Sequence, residues 1–300
     1  MEEIAVIYTV TLNPSIDYLM YTERFASGAV NRSIREKVNF GGKGLNVSSM
    51  LENLGKKSTA LGFLGGFTGK EILRLAKCAG INCEFCEISG MSRINVKIYG
   101  EEESAINGKG PFITLEEEAA LCKKLSALSG DDTVVISGKS AESESGKLLE
   151  NVLRAAAHTR LVVDMAGEDL TSAIEERPFL IKPNYDEFVS LFGASEMDEE
   201  TIYRSAEKLL LRGVKNILLS MGERGAMFFS GKGKIYRVRA PKVEVKSTVG
   251  AGDSLLAGFL AGYNDGIPLA LSLAVAAGSA TAGSEGIADG AEVIRFFSEM

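Results

Sequence analysis

Between Ser247 and Ser254 the chain reads Ser-Thr-Val-Gly-Ala-Gly-Asp-Ser, a side-chain-poor turn followed at once by a carboxylate. Leu255, Leu256, Phe259 and Leu260 then recur at helical spacing. That spacing puts Asp253 in the first turn of a helix, with the amides of Gly250, Ala251 and Gly252 at its open end. Unpaired amides at the positive end of a helix dipole suit an anion, and charge building on a transferring phosphoryl group would be held there. Asp253 would accept the proton of an attacking hydroxyl. The pattern points to phosphoryl transfer, against the plainer explanation of an ordinary glycine-rich helix start.

A second glycine cluster, Gly41-Gly42-Lys43-Gly44-Leu45-Asn46, follows a strand pattern and opens a helix. Its glycines permit close backbone approach, and Lys43 and Asn46 would reach a sugar or phosphate oxygen. Neither glycine cluster is a dinucleotide fingerprint, because Val47 and Leu255 stand where the third glycine is required. A P-loop fails too, since Gly69-Lys70 is followed by Glu71 and Leu64 occupies the place of its first glycine. Asp17 lies just past the first strand, where α/β sheets bind ligands, and would bind sugar hydroxyls; a solvated turn Asp is the alternative. Arg93 and Lys43 would together concentrate positive charge for the phosphate of a sugar phosphate.

Lys182-Pro183-Asn184-Tyr185-Asp186-Glu187 follows a buried strand. Asn184 and Glu187 are close enough to hold a hydrated Mg²⁺, and the same spacing makes a capping pair, so both explanations stand. Ser220-Met221-Gly222-Glu223-Arg224-Gly225 ends another strand in a turn able to pass close to a nucleotide, or simply to close a hairpin.

The elements that must position these groups alternate between strand and helix, the mark of an α/β fold with a mostly parallel sheet flanked by helices. Strands are expected at Ile4 to Leu12, Thr59 to Leu64, Thr133 to Ser137, Leu161 to Met165, Phe179 to Lys182 and Asn216 to Ser220. Helix signals include the Val47, Met50, Leu51 and Leu54 face stopped by Gly55, and a Thr114–Glu117 capping box. Val30 to Phe40 and Arg93 to Tyr99 instead alternate apolar and polar residues, as half-exposed antiparallel strands do. They predict a small antiparallel sheet serving as a lid, built from segments about 15–40 and 92–110 of a single domain spanning 1–300, its outer face available for a homodimer contact.

Three hundred residues with 45% hydrophobic content are enough for one large core or two modest domains, no low-complexity run marks a hinge, and a net charge of −7 argues against nucleic acid or an anionic membrane as partner. Gly266 to Ser284 carries no charge, but Pro268 and its many small residues fit a buried helix better than a membrane span. The N-terminus, Met-Glu-Glu-Ile, lacks the basic flank of a signal peptide, which predicts a cytoplasmic protein. Cys83 and Cys86 have metal-ligand spacing without a second pair, so free thiols are expected.

Taken in order, Thr11-Leu12-Asn13-Pro14, Gly41 to Val47, Arg93-Ile94-Asn95-Val96-Lys97, Lys182-Pro183-Asn184-x-x-Glu187 and Thr248 to Ser254 resemble the PfkB branch of the ribokinase family across nearly the whole chain. Gly28 to Asn31, Arg93 to Lys97 and Ile106-Asn107-Gly108-x-Gly110-Pro111 look most like the members that act on fructose 1-phosphate, with those acting on tagatose 6-phosphate and fructose 6-phosphate close by. The resemblance implies a ribokinase-like fold, ATP as donor and Mg²⁺ as helper. It casts Asp253 as catalytic base and Gly250, Ala251 and Gly252 as the anion hole. Asp17, Gly42, Lys43, Asn46 and Arg93 become sugar-phosphate contacts; Lys182, Asn184, Ser220, Gly222 and Gly225 lie along ATP; and Asn184 with Glu187 is the metal-associated pair. The expected reaction is transfer to the 6-hydroxyl of fructose 1-phosphate, with transfer to the 1-hydroxyl of a ketose 6-phosphate, or a noncatalytic sensor of the same ligands, as alternatives.

One loop departs from the family. After Ser137-Gly138, relatives continue Ser-Leu-Pro-Pro-Gly, whereas this chain has Lys139-Ser140-Ala141-Glu142-Ser143. The loop lies beside substrate in relatives, so Ser137, Gly138 and Lys139 count as substrate-side residues, and Lys139 either contacts phosphate or points into water.

Overall fold

The computed structural model of the protein describes residues 6–300, so Ile4 and Ala5 of the expected first strand lie outside the described residues. The chain begins β1 (Ile7–Thr11), β2 (Ser15–Tyr21), β3 (Arg35–Gly41), α1 (Lys43–Asn53), β4 (Ser58–Gly65) and α2 (Gly66–Cys78). Next come β5 (Asn82–Cys83), β6 (Cys86–Ile88), β7 (Arg93–Tyr99), β8 (Glu103–Asn107), β9 (Phe112–Ile113) and α3 (Leu115–Ser126). β10 (Thr133–Ser137), β11 (Glu142–Ser143), α4 (Leu148–Ala156), β12 (Arg160–Asp164), α5 (Gly167–Glu175) and β13 (Leu180–Ile181) follow. The remainder holds α6 (Tyr185–Ser190), α7 (Glu199–Leu211), β14 (Asn216–Ser220), β15 (Ala226–Ser230), β16 (Ile235–Val238), α8 (Ala251–Gly262), α9 (Ile267–Ala282) and α10 (Gly290–Ser298).

The main sheet runs β16-β15-β14-β13-β12-β10-β1-β4-β5, with β6 also paired to β4. Every pairing from β4 through β1, β10, β12 and β13 to β14 is parallel, and only the β14–β15–β16 edge is antiparallel. Alternation along these strands divides the core. Val134, Ile136, Leu161 and Val163 pack with α3, α4, α5 and α7, whereas Val135, Val162, Leu180 and Leu218 pack with α1, α8, α9 and α10. Two residues on, the same alternation turns Ser137, Asp164, Lys182 and Ser220 toward the α8 side.

α8 is buried along its length, with Phe259 stacked on Phe228 of β15 at 5.1 Å between centroids. Burying a side chain of that size contributes roughly 1.5–3 kcal/mol. The charge-free stretch is α9, which lies so close to α8 that a methyl on Gly258 would come within 2.9 Å of the Ala274 Cα. Small residues on both helices therefore fix the depth at which α8 presents its first turn. No helix among the described residues is long and apolar enough to cross a membrane.

The expected lid is a four-stranded sheet ordered β3-β2-β7-β8. Its outer pairings are antiparallel, and the central β2–β7 pair is parallel because both strands set out in the same direction from the body. Register aligns Asn39, Asp17, Asn95 and Asn107 in one cross-strand row and Val38, Tyr18, Val96 and Ile106 in the next. Adjacent rows face opposite sides, so one face of the lid is polar and the other apolar. The strand expected from Val30 begins only at Arg35, and Asp17 sits within a lid strand rather than in a turn after β1.

Candidate active site

At the carboxyl ends of adjacent strands, Thr11 aligns with Ser137 and Ser137 with Asp164, while Lys182 follows β13 at the next place in the row. All four are buried. Lys43, the first residue of α1, extends into this row and places Nζ 3.2 Å from Asp164 Oδ1. Lys182 Nζ lies 3.2 Å from that same oxygen. Burial alone would push the Asp164 carboxyl up, but the charges of Lys182 and Lys43 outweigh it and hold the group below the usual carboxylate range.

Gly250 caps α8 in the left-handed region at φ 81°, a conformation that costs a side-chain-bearing residue energy, and it turns the chain into the helix. The helical ladder begins with Ser254 N donating to the Gly250 carbonyl at 2.8 Å, so the Gly252 and Asp253 amides precede it. The Ala251 amide differs from the expected open donor, because the tight turn brings it within 3.3 Å of the Thr248 carbonyl. Lys182 reaches this turn as well: a methyl on Gly252 would stand 3.3 Å from Lys182 Nζ.

Asp253 is 5% exposed, and its Oδ2 accepts a hydrogen bond from Asn46 Nδ2 at 2.8 Å. Burial, and then the neighbouring Asp164 charge, push its carboxyl up to about 6, against the pull of the Asn46 bond, Lys43 and Lys182. Proton affinity is thus brought near the working range of a general base. α1 is itself held in place by its Leu45 amide, which donates to Thr11 Oγ1 at 3.2 Å.

The lid lines the other end of the same cleft. Asp17 Oδ1 accepts from Ser15 Oγ at 2.7 Å and Asn95 Nδ2 at 2.9 Å, and Oδ2 pairs with Lys97 Nζ at 3.3 Å. Asn13 Oδ1 and Asn95 Oδ1 are buried with no partner among the described residues, which leaves acceptors suited to hydroxyl donors. Arg93 Nε donates to the Asn13 carbonyl at 3.0 Å; burial pulls its proton affinity down and Asp17 restores part of it. The two cations expected to act together are therefore divided, Arg93 at the lid and Lys43 on Asp164 in the field of Asp253.

Asn184, Glu187, Ser220, Gly222 and Gly225 line the same cleft, whose volume is about 1240 Å³. Asn184 and Glu187 form a reciprocal capping box on α6: each side chain accepts from the other's amide at 2.8 Å. Ser220 to Gly225 closes the β14–β15 hairpin with Met221 N bonded to the Gly225 carbonyl at 2.8 Å, so hairpin and cleft lining coincide. Pro241, Val243, Val245 and Val249 give this end an apolar wall. Lys139 is exposed at the rim, where it draws down an Asp169 carboxyl that burial pushes up. Its loop runs into β11, which pairs with β9, and Glu142 Oε2 lies 2.8 Å from Nζ of Lys109, in the segment that follows lid strand β8.

The cleft thus brings together the candidate catalytic, substrate-side, nucleotide-side and metal-associated residues named from the sequence, and adds several that were not. Asp164 went unassigned although it is the lone charge in the Leu161 to Met165 run; its place at a strand's carboxyl end was the available signal. Asn95 and Lys97 fall inside a motif already noted, but only the register of β2 with β7 shows that they meet Asp17; Asn13, also in a noted motif, lines the same cleft. The four cysteines are free thiols, and burial pushes Cys83 up to about 11.

Comparison with known proteins places the chain among sugar kinases. Residues 2–293 match the profile of the pfkB family carbohydrate kinases. A 1-phosphofructokinase of Bacillus subtilis (strain 168) is 40% identical over 283 residues, 93% of each chain. A D-tagatose-1-phosphate kinase of Bacillus licheniformis is 35% identical, over 94% of each. The crystal structure of phosphofructokinase-2 from Escherichia coli in complex with potassium superposes with a TM-score of 0.92 at 25% identity, covering 99% of both chains.

Proposed function

The chain belongs to the pfkB family of carbohydrate kinases, and we propose that it transfers the terminal phosphoryl group of ATP to the 6-hydroxyl of fructose 1-phosphate, giving fructose 1,6-bisphosphate. The observation that carries this reading is the buried Asp253 carboxyl, fixed by Asn46 beside the open turn of α8 and within a cleft that the lid borders. Two of the relatives described above bear the names of kinases for ketose 1-phosphates, fructose and D-tagatose. Both substrates put a phosphate on C1 and leave O6 as the acceptor.

Asp17 and the unpartnered Asn13 and Asn95 oxygens take the sugar hydroxyls, and Arg93 takes the existing phosphate. The acceptor hydroxyl meets Asp253, which removes its proton as the new bond forms; that step is typically worth a hundred- to ten-thousandfold in rate. The Gly252 and Asp253 amides, with Lys182 and Lys43, balance charge on the transferring group, and one well-placed donor there contributes roughly 3 kcal/mol. The adenine lies along the apolar wall of Val243, Val245 and Val249, with the Ser220 to Gly225 turn beside the nucleotide.

Asn184 and Glu187 offer oxygen donors of the kind Mg²⁺ takes, and the capping box fixes both side chains at the cleft. Because each already gives an oxygen to the cap, they would hold the ion through its waters. When bound, the ion neutralises phosphate charge. A second copy of the chain would pack on the apolar lid row of Val38, Tyr18, Val96 and Ile106, of which Ile106 is 69% exposed.

Turnover measured side by side on fructose 1-phosphate, fructose 6-phosphate, tagatose 1-phosphate, tagatose 6-phosphate and neutral sugars, with the product resolved by NMR, tests the reading. Fructose 1-phosphate is expected to give the highest kcat/KM. Preference for a neutral sugar would remove the role given to Arg93, and preference for a 6-phosphate would reverse the direction in which the sugar lies.

A further inference from the structure

We propose, resting on the kinase reading above, that Asp164 is a positioning residue for phosphoryl transfer: its Oδ1 gathers the Lys43 and Lys182 ammonium groups at the first turn of α8 and keeps them off Asp253. Both Nζ atoms stand 3.2 Å from that one oxygen. Asp164 is fully buried and Lys182 is 4% exposed, so that pair is screened little by water, whereas the Lys43 side chain is 39% exposed toward the cleft. Among the described residues, Asp164 Oδ2 and the adjacent Ser137 Oγ are buried without a partner, which leaves the two lysines as the groups on this carboxylate.

Three elements converge on the trio. β12 supplies the carboxylate; α1 supplies Lys43 and, one turn on, the Asn46 that holds Asp253; the segment after β13 supplies Lys182, whose Nζ lies against Gly252. Two lysines and one carboxylate leave a net charge of +1, enough to favour an incoming phosphoryl oxygen. Without Asp164 the two like charges would repel, and the other anions acting on Lys43 are Glu187 and, more strongly, Asp253. An ion pair there would tie up the base and spoil the alignment of the cations with the turn.

The charged groups acting on Asp253 are Asp164, Lys43 and Lys182; α9, packed along α8, carries no charge. The Asp164 charge is one of the causes of Asp253's raised proton affinity, so its removal has a distinct signature.

The test compares the whole protein with Asp164→Asn. The variant is expected to melt lower, because buried Lys182 loses its counterion, and to gain more thermal stability than wild type from inorganic tripolyphosphate, which replaces the missing charge. Its kcat is expected to fall about a hundredfold, as for a misplaced transition-state contact, with the acid limb of the rate profile moved to lower pH. A merely structural Asp164 would lower the melting point and leave both the tripolyphosphate gain and the acid limb as in wild type, overturning the proposal. If Asp164→Asn does not fold, Asp164→Glu keeps the charge and displaces it by one methylene. The expected result there is a reduced kcat with the acid limb unmoved, and wild-type kcat would overturn the proposal. A wild-type protein that binds tripolyphosphate yet turns over no ketose phosphate would remove the kinase reading, while the melting comparison would still decide the role of Asp164.

Discussion

Asn46 in α1 donates a hydrogen bond to Asp253 in α8 at 2.8 Å, joining two helix starts 207 residues apart. The bond both aims the carboxylate and favours its ionised form, against burial and the Asp164 charge. Replacing Asn46 with Ala is expected to move the acid limb of the rate profile to higher pH and to lower kcat at neutral pH. A pH series from 5 to 9 at saturating substrates reads both, and an unmoved limb would remove this role from the bond.

Asp253→Asn preserves the shape and the Asn46 contact while removing the proton acceptor. Turnover is expected to fall by roughly a hundred- to ten-thousandfold, while both substrates still bind. Steady-state rates together with calorimetric titration of ATP and sugar phosphate check this. Near-normal turnover would mean that another group accepts the proton.

The pH dependence of stability runs opposite to that of activity. Asp253 has its carboxyl pushed up to about 6 from 3.8, so the folded protein binds this proton more tightly than the unfolded chain does. The stabilisation is complete below about pH 3.8 and is lost as pH rises through about 6. Asp253→Asn escapes that loss, and at pH 8 it is expected to be more stable than wild type by at most on the order of 3 kcal/mol. Urea unfolding of both proteins between pH 4.5 and 8 gives the difference directly; a constant difference across that range would contradict the buried, proton-binding Asp253.

A methyl group on Gly41 would collide with Ser15 Oγ and the Asp17 carboxylate. Gly41→Ala should therefore push Asp17 out of its bonds to Ser15 and Asn95 and lower kcat/KM for the sugar phosphate by about ten- to a hundredfold. The KM for ATP is expected to stay within about twofold, since the nucleotide end of the cleft is built from other elements. Equal effects on both substrates would show that Asp17 does not serve the sugar end specifically.

The apolar row on the lid predicts a dimer sensitive to one charge. Ile106→Asp, placed on the exposed edge strand, is expected to shift sedimentation toward the monomer and to lower activity where lid order matters. A dimer that survives the change would have to form elsewhere.

Local chemistry made much of this protein legible in its sequence. The alternation of Ile94, Val96 and Ile98 with Asn95, Lys97 and Tyr99 announced a two-faced strand because strand periodicity is a property of the backbone alone. The Thr114–Glu117 and Asn184–Glu187 boxes, the turn before Asp253 and the uncharged α9 were readable for the same reason: each is decided within a few residues. What tertiary structure alone decided is which distant groups share a point in space. Nothing local distinguishes Asp164 from any strand-end Asp until parallel register sets it beside Ser137 and Lys182. Nor does the Gly41 to Asn46 run reveal that Lys43 goes to Asp164 and away from Arg93, since burial and charge pairing across elements settle that choice. Electrostatics acts through space, and only the folded chain brings those charges within reach of one another.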